Sequence, residues 1–405
     1  MTHKDKTLTI KEVAEFLNIS NQMVYNLIRD RKIEAFKVGS TIRILDSDLF
    51  AYIEQQKLDF HGSDEALENS DENLFVVKKL NFRREEFQLQ DISFQIPRGK
   101  ILTILGPSGS GKTMLLKALA GINQNDSGAV FLGTKRMDTL PASERNIGFV
   151  FEDYALMNHR SGRGNIRFPL EVMKTKTIKK EEIDPAVEAM ARELNISRAD
   201  LDRLISVLPE GIKQLIAIAR ADIRNIDILM MDEPLTHLDT KNRLQMRTFL
   251  KGLVTGLGKT TIISLHDPET ALALSDYLAV LDKGRLIQFG TARELYNAPA
   301  HKIVLEMTSR FAVSKLDVSV KDGHLNLFPY ESDKKDGDYQ LLIRADEITL
   351  CESSSGIRAR IKDRHPLDGS RILADCSSDS GDLELILPTE TDEEFSFRPK
   401  SIHLF

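Results

Sequence analysis

Apolar residues fall along this chain in three rhythms. Between Leu74 and about Ala300, short apolar runs alternate with segments of helical period: ILTIL before KTMLLKALAGI, DILMMDE before KNRLQMRTFLKGL, TTIISLHD before PETALALSD. That alternation predicts a largely parallel sheet with helices packed on it. Ahead of it, Val13, Phe16 and Leu17 share one helical face, and Val24, Leu27 and Ile28 share a second. The turn NIS separates them and offers Ser20 as a cap for the second helix. After about Phe311, runs such as QLLIRADEITL, RILADCS and LELILP are cut by Gly, Asp, Ser and Pro, which predicts a small β-barrel or sandwich. Residues 57–73 carry six acids against one lysine and few large apolar residues, the composition of a solvated linker. The expected organisation is a helical domain over 1–56, a linker over 57–73, an α/β domain over 74–305 and a β domain over 312–405.

Composition narrows the class. A chain of 405 residues with 41% hydrophobic and 29% charged content reads as a soluble multidomain protein. A net charge of −6 argues against a protein that coats nucleic acid generally, while leaving room for a local basic face. Only Cys351 and Cys376 are present, outside any CxxC spacing, which fits a reducing cytoplasm and excludes a four-cysteine zinc site. The start MTHKDKTLTI lacks the apolar stretch of a signal peptide, and no apolar run is long enough to span a bilayer. A membrane role is therefore expected to come through a partner.

The strongest chemical signal is GPSGSGKT, which follows the strand ILTIL and opens a helix. Gly106, Pro107, Ser108, Gly109, Ser110 and Gly111 can curl the backbone so that several N–H groups face phosphate oxygens. Lys112 can reach β- and γ-phosphates, Thr113 can place its hydroxyl on Mg²⁺, and the helix N-terminus adds positive charge. The plainer alternative is a Gly-rich strand-to-helix turn without a ligand. DILMMDEP ends a second apolar strand on Asp232 and Glu233, suited to holding Mg²⁺ and to polarising an attacking water. Carboxylates at strand ends often only cap the next helix, but paired with the phosphate loop they point to ATP and Mg²⁺. His266, just beyond the strand TTIISL, falls within plausible reach of a γ-phosphate.

The first 56 residues carry separate logic. Two short helices joined by a tight turn suit a helix-turn-helix, with Asn21, Gln22, Tyr25 and Arg29 on the outer face of the second helix. FKVGSTIRI reads as a hairpin or wing offering Lys37 and Arg43 to phosphates. Residues 29–43 hold five bases against two acids, although the alternative of a small protein-interaction module fits the near balance of charge over 7–56. In LTIKEVAEFLNIS, VYNLIRDRKIEAFKVG and RILDSDLFAYIE this stretch resembles the excisionase-type, MerR-like DNA-binding domain. That likeness implies DNA as a partner of residues 1–56.

From Leu74 to Phe405 the residues resemble the nucleotide-binding subunit of an ABC transporter. GPSGSGKT, ILMMDEP, LTHLD ending at Asp239, and His266 within LHD fall in that family's order. Residues 148–172 and 275–299 are closest to its importer branch, and 341–350 with 395–405 resemble a TOBE domain. NFRREEFQLQDISFQI and DTLPASERNIGFVFEDYAL look closest to molybdate and tungstate importers. The fold implied is multidomain α/β: a small winged helix-turn-helix, a P-loop NTPase domain and a C-terminal β-barrel-like TOBE domain. The resemblance implies an ATPase with Glu233 and His266 as catalytic groups. Its implied partners are an integral-membrane permease and a second ATPase subunit, either another copy or a different chain. It further implies peripheral placement at the inner face of the cell membrane, and an oxyanion at the TOBE domain.

Three departures from the family pattern bear on activity. Glu152 stands where the family has the Q-loop glutamine; it can still reach Mg²⁺ but adds negative charge beside the γ-phosphate. The signature LSGGQ reads Leu208, Pro209, Glu210, Gly211, Ile212. Pro209 offers neither hydroxyl nor N–H, and Glu210 brings a carboxylate toward a triphosphate. No aromatic falls at the adenine-stacking position, where Arg84 or Glu85 stands, with Phe82 nearby as a substitute. Slow hydrolysis is expected from a homodimer, and one competent site from a heterodimer whose partner keeps an intact signature. The alternative is an ATP- or oxyanion-responsive transcriptional regulator built on a degenerate ATPase.

Overall fold

The computed structural model describes residues 7–17, 21–29, 33–39, 41–45, 47–49, 74–172, 179–236, 247–248, 250–252, 256, 258–351 and 356–405. The chain divides into two compact units, Met1–Glu72 and Asn73–Phe405.

In the first unit, β1 (Thr7–Leu8) precedes helices Ile10–Leu17 and Asn21–Arg29, followed by β2 (Phe36–Val38) and β3 (Thr41–Leu45). The sheet order is β1-β3-β2, all antiparallel. Val13, Ala14, Val24, Ile33, Ile44 and Leu49 form its buried core, so the two helical faces expected from Val13 and Val24 do meet inside. The turn carrying Ser20 lies outside the described residues.

In the second unit a ten-stranded sheet runs β8-β7-β4-β5-β13-β12-β6-β11-β10-β9. Its strands are β4 (Leu74–Arg84), β5 (Phe87–Pro97), β6 (Ile101–Leu105), β7 (Ser127–Leu132), β8 (Lys135–Arg136), β9 (Ile147–Val150), β10 (Ile228–Asp232), β11 (Thr260–Leu265), β12 (Tyr277–Asp282) and β13 (Arg285–Thr291). From β12 through β6, β11 and β10 to β9 all pairings are parallel. Strands β6, β10 and β11 are buried along their whole length, as expected of parallel strands covered on both faces. The other half is mostly antiparallel, with β4 paired to β5 and β7, and β12 to β13. The largely parallel sheet expected from the sequence thus holds for the half that carries the phosphate loop. In the other half, β5 alternates buried and exposed positions, the pattern of strands joined by tight turns.

The C-terminal part holds two more sheets. One orders β15-β14-β16-β22 and the other β17-β21-β18-β19-β20. The ranges are β14 (Val313–Lys321), β15 (His324–Leu325), β16 (Gly337–Arg344), β17 (Ile348–Leu350), β18 (Ile357–Pro366), β19 (Arg371–Ser378), β20 (Gly381–Pro388), β21 (Glu394–Pro399) and β22 (His403–Leu404). Alternating residues of both sheets share one core, including Leu316, Val318, Leu341, Ala374, Leu385 and Phe397. Ser314 ties the sheets together: its hydroxyl donates to the Glu384 carbonyl and accepts from the Glu384 N–H.

Arg344 fixes this β module to the ATPase half. Its guanidinium is 1% exposed, lies over the Tyr296 ring at 3.9 Å, and donates to Tyr296 O, Thr308 Oγ1, Ser309 Oγ and Glu347. Burial works against ionisation of Glu347, but the Tyr296 hydroxyl, Arg344 and Ser401 outweigh it and hold the carboxyl below the usual range. A lowered folded-state pKa means this stabilisation is present above the unfolded value and fades as pH falls below about 4. Arg344→Ala leaves Glu347 to Tyr296 and Ser401 alone, removes the donor to Tyr296 O, Thr308 and Ser309, and should cost about 1–3 kcal/mol. The check is the urea midpoint of the C-terminal transition at neutral pH. An unshifted midpoint would mean the joint is held by other contacts.

Candidate functional site

Parallel register brings three strand ends to one edge. Asp232 pairs with Ser264 across β10 and β11, and Leu265 pairs with Leu105 across β11 and β6. The loop from Gly106 to Gly111 leaves that edge and enters helix Lys112–Leu119. Gly111 is obligatory there: its φ is 106°, and a Cβ would sit 2.5 Å from the Phe87 ring. Gly106 is equally confined, since a Cβ would lie 2.2 Å from the carbonyl of Leu281.

Side chains from these three ends interlock. Lys112 Nζ donates to Gly106 O at 2.9 Å and stands 3.6 Å from Glu233 Oε1, both side chains nearly buried. Thr113 Oγ1 donates to Asp232 Oδ1 at 3.0 Å, and Ser264 Oγ donates to the same oxygen at 2.7 Å. Ser264 in turn accepts from the Glu233 N–H at 2.9 Å. His266 Nδ1 lies 2.8 Å from Glu233 Oε2, with the imidazole more than half exposed. Glu233 has a φ of 44°, an uncommon conformation for a residue with a side chain and one found where geometry serves a site.

Lys112, Thr113, Asp232, Glu233 and His266 thus meet at one edge, and the residues present fit phosphate and a divalent cation. Ser110 Oγ is buried without a hydrogen-bond partner, so the loop keeps an unused polar atom inside. Thr113 and Asp232 present the oxygen ligands that a hard divalent cation takes. Glu152 is exposed in the turn after β9 and makes no hydrogen bond or ion pair to Thr113 or Asp232. Asp239 lies outside the described residues.

Phe82 requires a correction. It is 5% exposed and packed in the core, so its ring is not available for adenine stacking. The aromatic beside the loop is Phe87, at the start of β5 and only partly buried, its ring against Gly111. Sequence reasoning also missed Ser264, whose hydroxyl links Asp232 to the backbone of Glu233.

The signature segment folds normally. Leu208 is buried, Pro209 occupies the N-cap in an extended conformation, and helix Glu210–Asp222 follows. Leu215, Ile216, Ile218 and Ala219 are buried as the spacing predicts. Gly211 and Ile212 lie in the first turn, where the Ile212 and Lys213 N–H groups both bond to Pro209 O. Glu210 pairs with Lys213 at 2.7 Å. Burial and then the Glu210 charge push the Tyr154 hydroxyl up to about 12. Arg220 donates to the carbonyls of Tyr154 and Ala155, both at 2.7 Å, locking the segment after Glu152 onto this helix.

In the first unit, helix Asn21–Arg29 begins at Asn21 and Gln22 and exposes Tyr25 and Arg29. Phe36 pairs with Arg43 and Lys37 with Ile42, so Arg43 and Lys37 lie on opposite faces of the hairpin. The expected hairpin is formed, and Arg43 shares its face with the exposed Phe36.

A parallel sheet edge with this loop, lysine, threonine and carboxylate pair defines a P-loop nucleotide hydrolase. Residues 89–236 match the family model described as ABC transporter, and residues 7–57 match one described as helix-turn-helix domain. The chain carries an ABC-type ATPase domain fused to a helix-turn-helix domain, with curled β sheets at its C-terminal end, and it is an ATP-hydrolysing enzyme of that type. ATP with Mg²⁺ goes with that domain. Among solved structures it is similar to cbiO1 from Clostridium perfringens, described as part of the ABC transporter complex cbiONQ. That match has 27% identity and a TM-score of 0.51, covering 58% of this chain and 94% of the other. It is also similar to MJ0796, described as a bacterial ABC transporter cassette in a dimeric structure, at 25% identity and a TM-score of 0.48, covering 54% of this chain and 99% of that one. Among the described residues no helix is long and apolar enough to cross a membrane.

Proposed function

We propose that this chain is the ATPase subunit of an importer for an oxyanion such as molybdate or tungstate, carrying a DNA reader that links uptake to transcription. The observation that carries the ATPase core of this reading is the meeting of Lys112, Thr113, Asp232, Glu233 and His266 at one sheet edge. Loop N–H groups from Gly106 to Gly111, with Lys112, would hold the β- and γ-phosphates. Thr113 and Asp232, with Glu152, would hold Mg²⁺; Glu233 would orient the attacking water and His266 would support it. Phe87 is the aromatic placed to contact a base beside the loop.

Docking to a permease is supported by a cleft of about 590 Å³ lined by residues including Tyr154, Leu156, Asn158, Ile205, Glu210 and Lys213. One wall, from Asp153 to Asn158, falls in the stretch whose sequence resembles importer docking segments. The oxyanion itself rests on that sequence resemblance. A photocrosslinker at Ala155 of the full chain tests the reading in native membranes. A crosslinked integral membrane protein, lost on introducing Leu156→Asp, is the expected result; no membrane partner would overturn it.

The Glu210–Lys213 pair favours a second reading, a nucleotide-responsive regulator, because the carboxylate at the signature is satisfied within its own subunit. Operator binding that changes with Mg-ATP, without any permease, would be its mark. For the DNA contacts, Arg29→Ala and Arg43→Ala should each reduce the salt slope of binding by about 1 and weaken all sequences alike. Filter binding across a salt series reads this out, and an unchanged slope in both would favour the protein-interaction alternative.

A further inference from the structure

The outer face of the second C-terminal sheet gathers anion-binding chemistry away from the phosphate loop. Along β18, Ile357, Ala359 and Ile361 are buried while Arg358 and Arg360 are exposed, so both arginines stand on the solvent face. Ser396 lies opposite Arg358; Arg360 has Glu394 on one side and Ser377 on the other. With Asp379 these residues line a cleft of about 740 Å³.

Neighbouring bases are already engaged. Lys362 pairs with Asp382 and Arg371 with Asp368, both at 2.7 Å, and Arg364 donates to the carbonyls of Thr389 and Thr391. Arg358 and Arg360 have no ion-pair partner among the described residues. Two adjacent guanidinium groups repel one another, and an anion between them removes that cost.

We propose that this cleft binds a hydroxyl-bearing organic phosphate of sugar-phosphate size. Arg358 and Arg360 clasp the phosphate in the bidentate manner that guanidinium groups favour. Ser377 and Ser396 add hydroxyl donors, while Glu394 and Asp379 accept from the hydroxyls of the ligand. Size and the need for hydroxyl donors both select against a bare oxyanion. Clefts for small organic ligands run to roughly 300–1,000 Å³, whereas a tetrahedral oxyanion fills only a few times the roughly 30 Å³ of a water. The two carboxylates accept from a ligand that brings its own hydroxyl donors, an interaction that a bare oxyanion cannot offer.

The test is calorimetric titration of the full chain carrying Lys112→Ala, which weakens phosphate binding at the nucleotide loop. Ribose phosphate, glucose phosphate, AMP, inorganic phosphate and molybdate serve as probes. At least one organic phosphate should bind saturably below about 1 mM. Adding Arg358→Ala and Arg360→Ala should weaken it about tenfold or more, the loss of a charge-assisted contact, while Lys362→Ala leaves it unchanged. Both arginines are exposed, and an unaltered thermal melt establishes that the double variant folds. Three results would overturn the proposal: no saturable organic phosphate, equal binding by the double variant, or inorganic phosphate or molybdate binding as tightly as the organic probes.

Discussion

Glu233→Gln is expected to reduce Mg-ATP turnover by about 10²–10⁴-fold while leaving ATP affinity within about twofold. The carboxylate directly follows β10 with both oxygens directed at the site, one 2.8 Å from His266 and the other 3.6 Å from Lys112. Glutamine keeps the shape and a hydrogen bond to the imidazole but removes the negative charge that polarises water. Binding should persist because the cradle is built by other groups: Lys112, the loop backbone, and the Thr113 and Asp232 oxygens. Lys112→Ala makes the converse cut, removing phosphate affinity as well as turnover. Equilibrium binding of labelled ATP beside single-turnover hydrolysis separates the two variants. If Glu233→Gln hydrolyses like the native chain, the attacking water is oriented elsewhere and the catalytic assignment falls.

How much of this site the sequence carries depends on how its parts are spaced. The phosphate loop is contiguous, so eight residues report it directly. Thr113 and Asp232 meet across 119 residues, yet Asp232 closes one apolar strand and Thr113 opens the helix after another, and parallel strands in one sheet bring their C-terminal ends together. Ser264 gives no comparable signal, because its role exists only once β11 lies between β6 and β10. The antiparallel half was missed for a related reason: strand–helix alternation reports elements, not neighbours. Phe82 and Phe87 could not be told apart by counting, since register shifts between Val77 and Leu80 and between Leu80 and Phe82 break the alternation of β4. Lys37 and Arg43 were different. Pairing around the turn at Gly39, with φ 65°, puts them on opposite faces, and period-two counting from that turn reaches the same result.

Pro209→Ser, Glu210→Gly and Ile212→Gln together are expected to raise turnover of the purified protein about tenfold or more, one restored phosphate contact being worth about 1.5–3 kcal/mol. The fold should change little: Ile212 is only partly buried against the core, and the stem of glutamine keeps part of its contact. Serine at the N-cap gives the helix a side-chain acceptor, worth about 0.5–2 kcal/mol. Losing Glu210 gives back about 0.3–1 kcal/mol of dipole interaction and about 0.2–0.5 kcal/mol of its pair with Lys213. The buried face of the helix, from Leu215 to Ala219, is untouched. A gain in rate with an unmoved melting temperature therefore reports the trans phosphate contacts themselves. Slow native turnover that this repair accelerates identifies a disabled half-site, which a partner with an intact signature would complete. Slow turnover that the repair leaves unchanged shifts the lesion to Glu152, and adding Glu152→Gln to the triple variant tests that directly. Brisk native turnover, unaffected by the repair, would mean that other groups supply the phosphate contacts and that the chain works as an ordinary importer ATPase.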